Sequence, residues 1–287
     1  MSAKPLGLRP RVSSENSPEA PSRASSGQEL WVARLGVVPY REALALQEAV
    51  RARRQAGEIP DVLLLLEHPP VYTRGRRSRD GELPFAPDWY ERQGIEIVTV
   101  PRGGLLTYHG PGQLVGYPIM RIGEVLAYVR RLEEVLAGAL ADEGIAAHAR
   151  PDDGPGYLGV WVDGERKLTS VGVHVHQHVT THGFAANVDN DMRPWEWVVA
   201  CGLPGVRMTS IADELGETTL TRPPATEPFS PVRPPSPRLA RFSDHVVRRF
   251  AAAFGRRPVE VGREALGVDP LDQTPVAAAG PISSGES

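Results

Sequence analysis

The 287-residue chain has a single cysteine, Cys201, and only two lysines, Lys4 and Lys167. One cysteine excludes an internal disulfide and any zinc site built from several cysteines, and it suits a reducing compartment. Apolar runs such as residues 62–66 are too short to span a bilayer, and the N-terminus lacks the apolar core of a signal peptide. We therefore expect a cytoplasmic protein.

Neither sign of charge dominates the composition. The chain carries 32 Lys and Arg against 35 Asp and Glu, for a net charge of −3. This balance gives no reason to expect nucleic acid or an anionic membrane as a partner. The hydrophobic fraction of 41% and the charged fraction of 23% are typical of a soluble globular protein.

Lys167 stands out because 30 of the 32 basic residues are arginines. Arginine carries the same charge with more hydrogen-bond donors, but it does not lose its proton near neutrality. A lysine retained in an arginine-rich chain is therefore a candidate for proton transfer or nucleophilic attack. An ordinary surface lysine is the alternative.

Composition divides the chain into five segments. Residues 1–28 are rich in Ser, Pro and Ala and are predicted to be a disordered tail, followed by a catalytic domain over residues 29–216. Residues 217–237 contain seven prolines and predict a semi-extended linker. An amphipathic helix within residues 238–258 is expected to dock on the domain, and residues 259–287 are expected to be mostly disordered.

Periodicity predicts helices over residues 39–56 and 124–143, and strands between and after them. The strands are expected near residues 31–37, 62–67, 95–100, 114–119, 145–149, 156–162, 168–175 and 181–188. Helices first alternate with strands and then give way to consecutive strands. This order favours an α/β or α+β domain with a mixed sheet over a doubly wound fold.

A glycine-rich segment, residues 102–113, follows the strand predicted to end near Val100. Four glycines in twelve residues allow the backbone to approach a ligand and leave amides free to bind it. Glycine alone would equally suit a tight hairpin. Arg102, Tyr108 and His109 in the same segment add chemistry that a hairpin does not need.

Two further groups of polar residues are candidates for a site. His174, His176 and His178 alternate along a predicted strand, which favours a solvent-facing stripe opposite valines, with a zinc site as the alternative. His182 lies where the pattern turns apolar, so it could line a pocket.

Cys201 ends an apolar run and enters a Gly/Pro turn. A free cysteine is more often a small buried hydrophobe than a nucleophile. An unperturbed thiol with a pKa of about 8.5 is only a few per cent ionised at neutral pH. A nearby lysine could stabilise the thiolate as a cation or act as a base once neutral, but the sequence does not show that Lys167 and Cys201 meet.

Three blocks of the chain resemble the bacterial lipoyl(octanoyl) transferases in order and spacing. The first block is Glu67-His68-Pro69-Pro70-Val71-Tyr72-Thr73 followed by Gly75-Arg76, and the second is the glycine-rich segment with Tyr117-Pro118. The third runs from Arg166-Lys167 through Ser170-Val171-Gly172, residues 180–187 and Cys201-Gly202 to Thr209-Ser210-Ile211. Together the blocks cover about residues 30–216.

The resemblance implies a fold like that of the biotin and lipoate protein ligases, a mixed sheet with flanking helices. It implies transfer of an octanoyl group from octanoyl-acyl carrier protein to a lysine of lipoyl domains, in 2-oxoacid dehydrogenase complexes and in the glycine cleavage H protein. Cys201 would be the acyl-carrying nucleophile and Lys167 the residue that activates it, with no cofactor and no metal. We expect a monomer.

The resemblance also assigns substrate-binding segments. These comprise Arg102, Gly103, Gly104, Leu105, Leu106, Thr107, Tyr108, His109, Ser170, Val171, Gly172, Gly183, Phe184 and Ala185, to which the apolar context adds His182. The chain departs from the family in its N-terminal tail, its Pro-rich insert and its histidine stripe. Two alternatives stay open: an ATP-dependent lipoate or biotin ligase, and a non-catalytic module that binds carrier proteins.

Overall fold

The computed structural model describes residues 29–154, 156–203, 205–217 and 236–267, and at Cys201 it describes the backbone but not the side chain. Its strands are β1 Glu29–Val37, β2 Asp61–Glu67, β3 Val71–Arg74, β4 Glu96–Thr99, β5 Leu106–His109, β6 Gln113–Ile119, β7 Ala147–Ala149, β8 Val160–Val162, β9 Arg166–Lys167, β10 Thr169–His176, β11 Val179–Asn187, β12 Arg207–Met208 and β13 Arg257–Glu260. Its helices are α1 Tyr40–Ala56, α2 Pro87–Arg92, α3 Val125–Asp142, α4 Ile211–Glu214 and α5 Pro237–Phe254, with 3₁₀ turns at Pro151–Asp153, Arg193–Trp197, Ala200–Gly202 and Arg263–Leu266.

A six-stranded sheet in the order β10-β11-β6-β2-β1-β13 forms the centre of the fold. β1 pairs in parallel with β2 and β13, whereas β2–β6, β6–β11 and β10–β11 are antiparallel. Two smaller sheets, β12-β9-β8-β7 and β4-β3-β5, extend it. The predicted α/β (α+β) class with a mixed sheet and flanking helices is confirmed.

Helices cover both faces of the central sheet, which explains the run of four leucines in β2. Leu63 and Leu65 belong to the core shared with α3 and α5, whereas Leu64 and Leu66 belong to the core shared with α1. Successive strand residues point to opposite faces, so a strand buried on both sides is apolar throughout.

The strongest predicted helix, residues 124–143, is observed as α3. Glu124 begins it by accepting hydrogen bonds from the amides of Leu126 and Ala127 at 2.9 and 2.5 Å. Such a cap satisfies amides that have no partner inside the helix. Its apolar face packs on α5, where Phe242, Val246 and Phe250 are buried.

Residues 259–267 correct the prediction of a mostly disordered tail after Val259. β13 pairs in parallel with the edge of β1, and Leu266 is fully buried in the core beneath α1. The stretch Arg257–Glu260 has a single large apolar residue, so pairing rather than periodicity defines the strand. Residues 1–28, 218–235 and 268–287, which hold the predicted tails and most of the Pro-rich linker, lie outside the described residues.

Two further local expectations need correction. Leu106–His109, within the predicted glycine-rich loop, forms strand β5 and pairs antiparallel with β3. His178 is not on a strand: Gln177 and His178, with φ of 48° and 64°, form the turn between β10 and β11. Both features depend on tertiary pairing. Among the described residues, no helix has the length and apolarity required to cross a membrane.

Candidate active site

One cavity, open to solvent on one side, lies between the glycine-rich segment and the β10–β11 hairpin. Half-exposed residues such as Leu105 and Gly156, with the buried Lys167 bonded to Gly156, form the end that we call the mouth. The buried rings of Tyr40, His109, Tyr117 and His182 form the end that we call the floor. The lining residues are Tyr40, Arg102, Gly104, Leu105, Leu106, Thr107, His109, Tyr117, Gly156, Leu158, Lys167, Ser170, Val171, Gly172, His182, Gly183, Phe184 and Ala185.

Lys167 contributes its side chain to this cavity from the short strand β9. The residue is only 1% exposed, its Nζ donates to the carbonyl oxygen of Gly156 at 3.2 Å, and it lies 5.1 Å from the centre of the Trp161 ring. An ammonium over an indole face is stabilised electrostatically. Lys167 is therefore a buried amine held at the cavity wall.

Gly159 makes room for the Lys167 side chain. A Cβ atom at this position would lie 2.1 Å from the carbonyl oxygen of Thr169 and 3.1 Å from Cε of Lys167, and φ is +132°. Only glycine fits such a contact without displacing the backbone. The local sequence therefore determines where the amine lies.

Cys201 lies in the 3₁₀ turn Ala200–Gly202, and the two residues that follow it, Gly202 and Leu203, approach the cavity wall. A Cβ at Gly202 would lie 2.6 Å from Cδ1 of Leu105, and one at Gly156 would lie 3.4 Å from Cδ2 of Leu203. Leu105 and Gly156 both line the cavity, and Gly156 binds Lys167. The backbone of Cys201 is thus next to the mouth that contains Lys167, while the position of its sulfur lies outside the described structure.

The glycine-rich segment is held in place by its first residue. The Arg102 guanidinium donates to Oγ1 and to the carbonyl oxygen of Thr73, both at 2.7 Å, and to the carbonyl oxygen of Gly103. The amides of Arg76 and Gly103 bond to the carbonyl oxygens of Arg102 and Val173. Arg102 therefore joins β3 to the segment that borders the cavity.

Neutral polar rings form the floor. His68 links the carbonyl oxygen of Val38 to the Tyr117 hydroxyl at 2.7 Å each, and Tyr40 stacks on His109. Burial lowers the pKa of His68 to about 4 and raises the pKa of Tyr40 to about 12. These groups remain uncharged near neutral pH.

His182 differs from the other histidines of this region because its ring nitrogens make no hydrogen bond to a described residue. Its φ is +58°. Burial and the nearby Arg102 cation lower its pKa to about 3. A non-glycine residue with positive φ in a strand is strained, and such strain is concentrated at functional sites. The backbone is held by a hydrogen bond from the His182 amide to Gln47.

Apart from Cys201, whose side chain is not described, all the sequence-predicted site residues line the cavity except Gly103 and Tyr108. Tyr108 is buried against Tyr72 and Trp195, and Gly103 bonds to Val173 outside the lining. Sequence reasoning missed four lining residues: Tyr40, Tyr117, Gly156 and Leu158. Tyr117 belongs to a matching block and could have been found. The position of Gly156 depends on pairing that periodicity does not reveal.

The histidine stripe lies away from this cavity lining. Nδ1 of His176 is 2.8 Å from Nη1 of Arg51, and His178 is exposed in the hairpin turn. Burial and the Arg76 cation lower the pKa of His174. In the part of the chain that the structure describes, no three His, Cys, Asp or Glu side chains are grouped to hold a metal.

Comparison with known proteins shows the family to which the chain belongs. The family model of the lipoyl protein ligase A/B catalytic domain matches residues 39–226. An octanoyltransferase of Acidothermus cellulolyticus is 44% identical over 188 residues, covering 63% of this chain and 80% of the relative. The chain belongs to the lipoyl(octanoyl) transferase family. An octanoyltransferase of Solibacter usitatus is 45% identical over 194 residues, covering 64% and 86%.

Membership in this family makes the chain an acyltransferase that transfers octanoyl groups in protein lipoylation. The fold is also that of lipoate ligases. The solved structure of a bipartite lipoate protein ligase and its E2 lipoyl domain from Thermoplasma acidophilum aligns with a TM-score of 0.58 at 17% identity, covering 83% of this chain and 90% of that one.

Proposed function

We propose that the enzyme transfers an octanoyl group from octanoyl-acyl carrier protein to a lysine of lipoyl domains through an acyl-Cys201 thioester, with Lys167 moving the protons. The observation that carries the proposal is the buried Lys167 amine at the mouth of a cavity that the Cys201 turn borders. A reducing compartment, the cytoplasm, would keep the thiol available.

The first half-reaction exchanges one thioester for another. The Cys201 thiolate, paired with the Lys167 ammonium, attacks the carbonyl carbon of the donor thioester. The bond to the carrier sulfur breaks, and that sulfur leaves with the proton of Lys167. Lys167 is then a neutral amine beside acyl-Cys201. Exchange of similar thioesters is nearly neutral in free energy, so this step is reversible.

The second half-reaction forms the amide. Lys167 takes a proton from the incoming lysine ammonium, and the freed amine attacks acyl-Cys201. The bond to the Cys201 sulfur breaks, the second proton of the amine passes to solvent, and the thiolate is restored beside the Lys167 ammonium. This ping-pong scheme needs no ATP.

The cavity wall suits an acyl chain. Leu105, Leu158, Val171 and Phe184 provide apolar contacts, and the amide groups of the glycine-rich segment border the same space. Burial of a methylene is worth about 0.8 kcal/mol, so the wall provides graded selection for chain length. Amides of the Gly202 turn or the glycine-rich segment would meet the oxyanion.

The acceptor is a lipoyl domain in this proposal, such as those of 2-oxoacid dehydrogenase complexes or the glycine cleavage H protein. The similar fold of a lipoate ligase whose solved structure includes an E2 lipoyl domain supports this choice.

Intact-mass spectrometry after incubation with octanoyl-acyl carrier protein, without ATP, tests the proposal. We expect one octanoyl adduct that hydroxylamine removes and that a lipoyl domain discharges as its own adduct. Cys201→Ser should form no adduct. An adduct that survives Cys201→Ser, or transfer that requires ATP, would contradict the mechanism and favour a ligase.

A further inference from the structure

A buried carboxylate that the proposed mechanism does not use lies behind Lys167. Glu133 is only 1% exposed on the apolar face of α3, between the buried residues Leu132 and Val135. A carboxylate is among the least favourable groups to bury unless hydrogen bonds and opposite charges compensate it. Its place in the core therefore needs an explanation.

Glu133 is connected to Lys167 through one glycine. Its Oε1 accepts a hydrogen bond from the Gly159 amide at 2.7 Å. Gly159 in turn contacts Lys167, since a Cβ added there would lie 3.1 Å from Cε. The carboxylate thus fixes the turn that leaves room for the amine.

The two side chains also interact through their charges. Burial raises the pKa of Glu133, whereas its bond to the Gly159 amide and the charge of Lys167 act to lower that pKa. The Lys167 charge therefore lies within electrostatic reach of the Glu133 carboxyl. Other titratable or charged groups on elements near this region are Arg130 on α3, His148 on β7, Arg150, which lies 4.8 Å from the centre of the Trp161 ring, and the Arg166–Glu214 pair.

The need for such a charge arises in the second half-reaction. While Cys201 is a thiolate, it can balance the Lys167 ammonium, but an acyl-Cys201 thioester is neutral. Lys167 must then accept the proton of the incoming ammonium in a site where it is 1% exposed. A nearby carboxylate stabilises that buried cation.

We propose that Glu133 is a positioning residue of the transfer reaction, which holds the Gly159 turn behind Lys167 and balances the Lys167 ammonium when Cys201 carries the acyl group. This inference rests on the proposed function for its role in the cycle. Its electrostatic part concerns the charges of Glu133 and Lys167 and can be measured without any acyl donor.

The test is the pH profile of Cys201 alkylation by iodoacetamide on the full chain, which contains no other cysteine. Removing a buried negative charge lets each neighbouring group lose its proton at lower pH. In Glu133→Gln we expect the alkylation profile to move to lower pH by about 0.5–1 unit. Glu134→Gln, which removes an exposed carboxylate from the same turn of α3, should superimpose on the wild type.

A purely structural role would lower stability or activity without moving the profile. A Glu133→Gln profile that superimposes on the wild type, or moves to higher pH, overturns the inference. In octanoyl transfer, the same variant should shift the pH profile of kcat in the same direction and lower kcat more than it changes KM for the acceptor. Absence of the octanoyl adduct in the wild type would reject the proposed function but leave the alkylation result interpretable.

A second measurement approaches the contact from the other side, in case Glu133→Gln does not fold. In Lys167→Met, loss of the ammonium should raise the pH at which the Glu133 carboxyl titrates. NMR of ¹³C-labelled glutamate carboxyls measures this titration. An unchanged set of glutamate titrations would contradict the proposal.

Discussion

At the mouth of the cavity a primary amine lies against the Gly156 carbonyl and the Trp161 ring, whereas the floor consists of two tyrosines and two histidines. Both ends bury polar groups, but the rings of the floor are neutral, whereas the mouth contains two groups that interact through their charges. Burial holds His109 and His182 neutral by lowering the pKa of each. At the mouth, Glu133 is close enough to Lys167 for the two charges to interact.

This difference indicates a division of labour between the two ends. The uncharged rings of the floor can border an acyl chain beside the Arg102 cation, whose guanidinium is bonded to Thr73 and Gly103, whereas a buried ammonium with a carboxylate behind it can take and give protons. A charged group in an apolar site is favourable only with compensation. We therefore expect chemistry to respond to changes at the mouth, and stability and chain-length selection to respond to changes at the floor.

The largest expected effect is the loss of octanoyl transfer when the Lys167 amine at the mouth is replaced by a guanidinium. Lys167→Arg keeps the positive charge but cannot transfer a proton near neutrality. We expect octanoyl transfer to fall by about 10²–10⁴-fold, the usual contribution of general acid–base catalysis. The measurement is steady-state transfer to a lipoyl domain.

Arg166→Lys is the matched control for that exchange. Arg166 precedes Lys167 on β9 and is paired with Glu214 at 2.8 Å, a contact that lysine can partly keep. We expect this variant to retain transfer within a few-fold of the wild type. Comparable activity in Lys167→Arg would reject proton transfer by Lys167.

The second effect tests whether the backbone at the mouth is shaped by Gly159. Gly159→Ala places a methyl group 2.1 Å from the Thr169 carbonyl at φ +132°. Positive φ alone costs about 1–2 kcal/mol in a non-glycine residue, and the clash adds to it. We expect a loss of about 2–4 kcal/mol of unfolding free energy, measured by urea denaturation.

Gly144→Ala separates strain from clash. Gly144 has φ +84°, and a Cβ there would meet nothing within 4 Å. This variant should therefore lose only the conformational contribution, about 1–2 kcal/mol. Equal losses in the two variants would show that the close contact at Gly159 does not matter.

The third effect is the contribution of His182, in the floor, to the loss of stability at acidic pH. His182 has its pKa lowered from 6.5 to about 3, so the unfolded chain binds its proton first as pH falls. The contribution of the neutral His182 ring to the free energy of unfolding is fully present above pH 6.5. It is lost as the pH falls from 6.5 towards 3. Between pH 7 and 5, His182→Asn should lose about 1–2 kcal/mol less unfolding free energy than the wild type.

His178→Asn is the control for this titration. Both histidines have positive φ, which asparagine tolerates, but His178 is exposed in the hairpin turn. Its acid dependence should match that of the wild type. A His182→Asn variant with the wild-type dependence would contradict a neutral, buried ring.

The sequence was sufficient for features that depend on local pattern or rare residues. The strand near residues 62–67, the helix over residues 124–143 and the isolated Lys167 could all be identified there. Features created by pairing could not: β13 has one large apolar residue, and the β10–β11 turn places His178 outside the stripe. Glu133 resembles any glutamate of an amphipathic helix until its register shows it turned towards the core.

The smallest expected effect is the change in kcat/KM when the donor acyl chain is shortened or lengthened by one methylene. Shortening the donor acyl chain by one methylene removes contact with the apolar wall, worth about 0.8 kcal/mol or about fourfold in kcat/KM. Lengthening it by one methylene drives the methyl end towards the buried floor, where the His182 nitrogens have no partner among the described residues. We expect the penalty for lengthening to exceed that for shortening, and His182→Asn to change mainly the penalty for lengthening. Equal penalties on both sides of the optimum would show that the floor does not limit the chain.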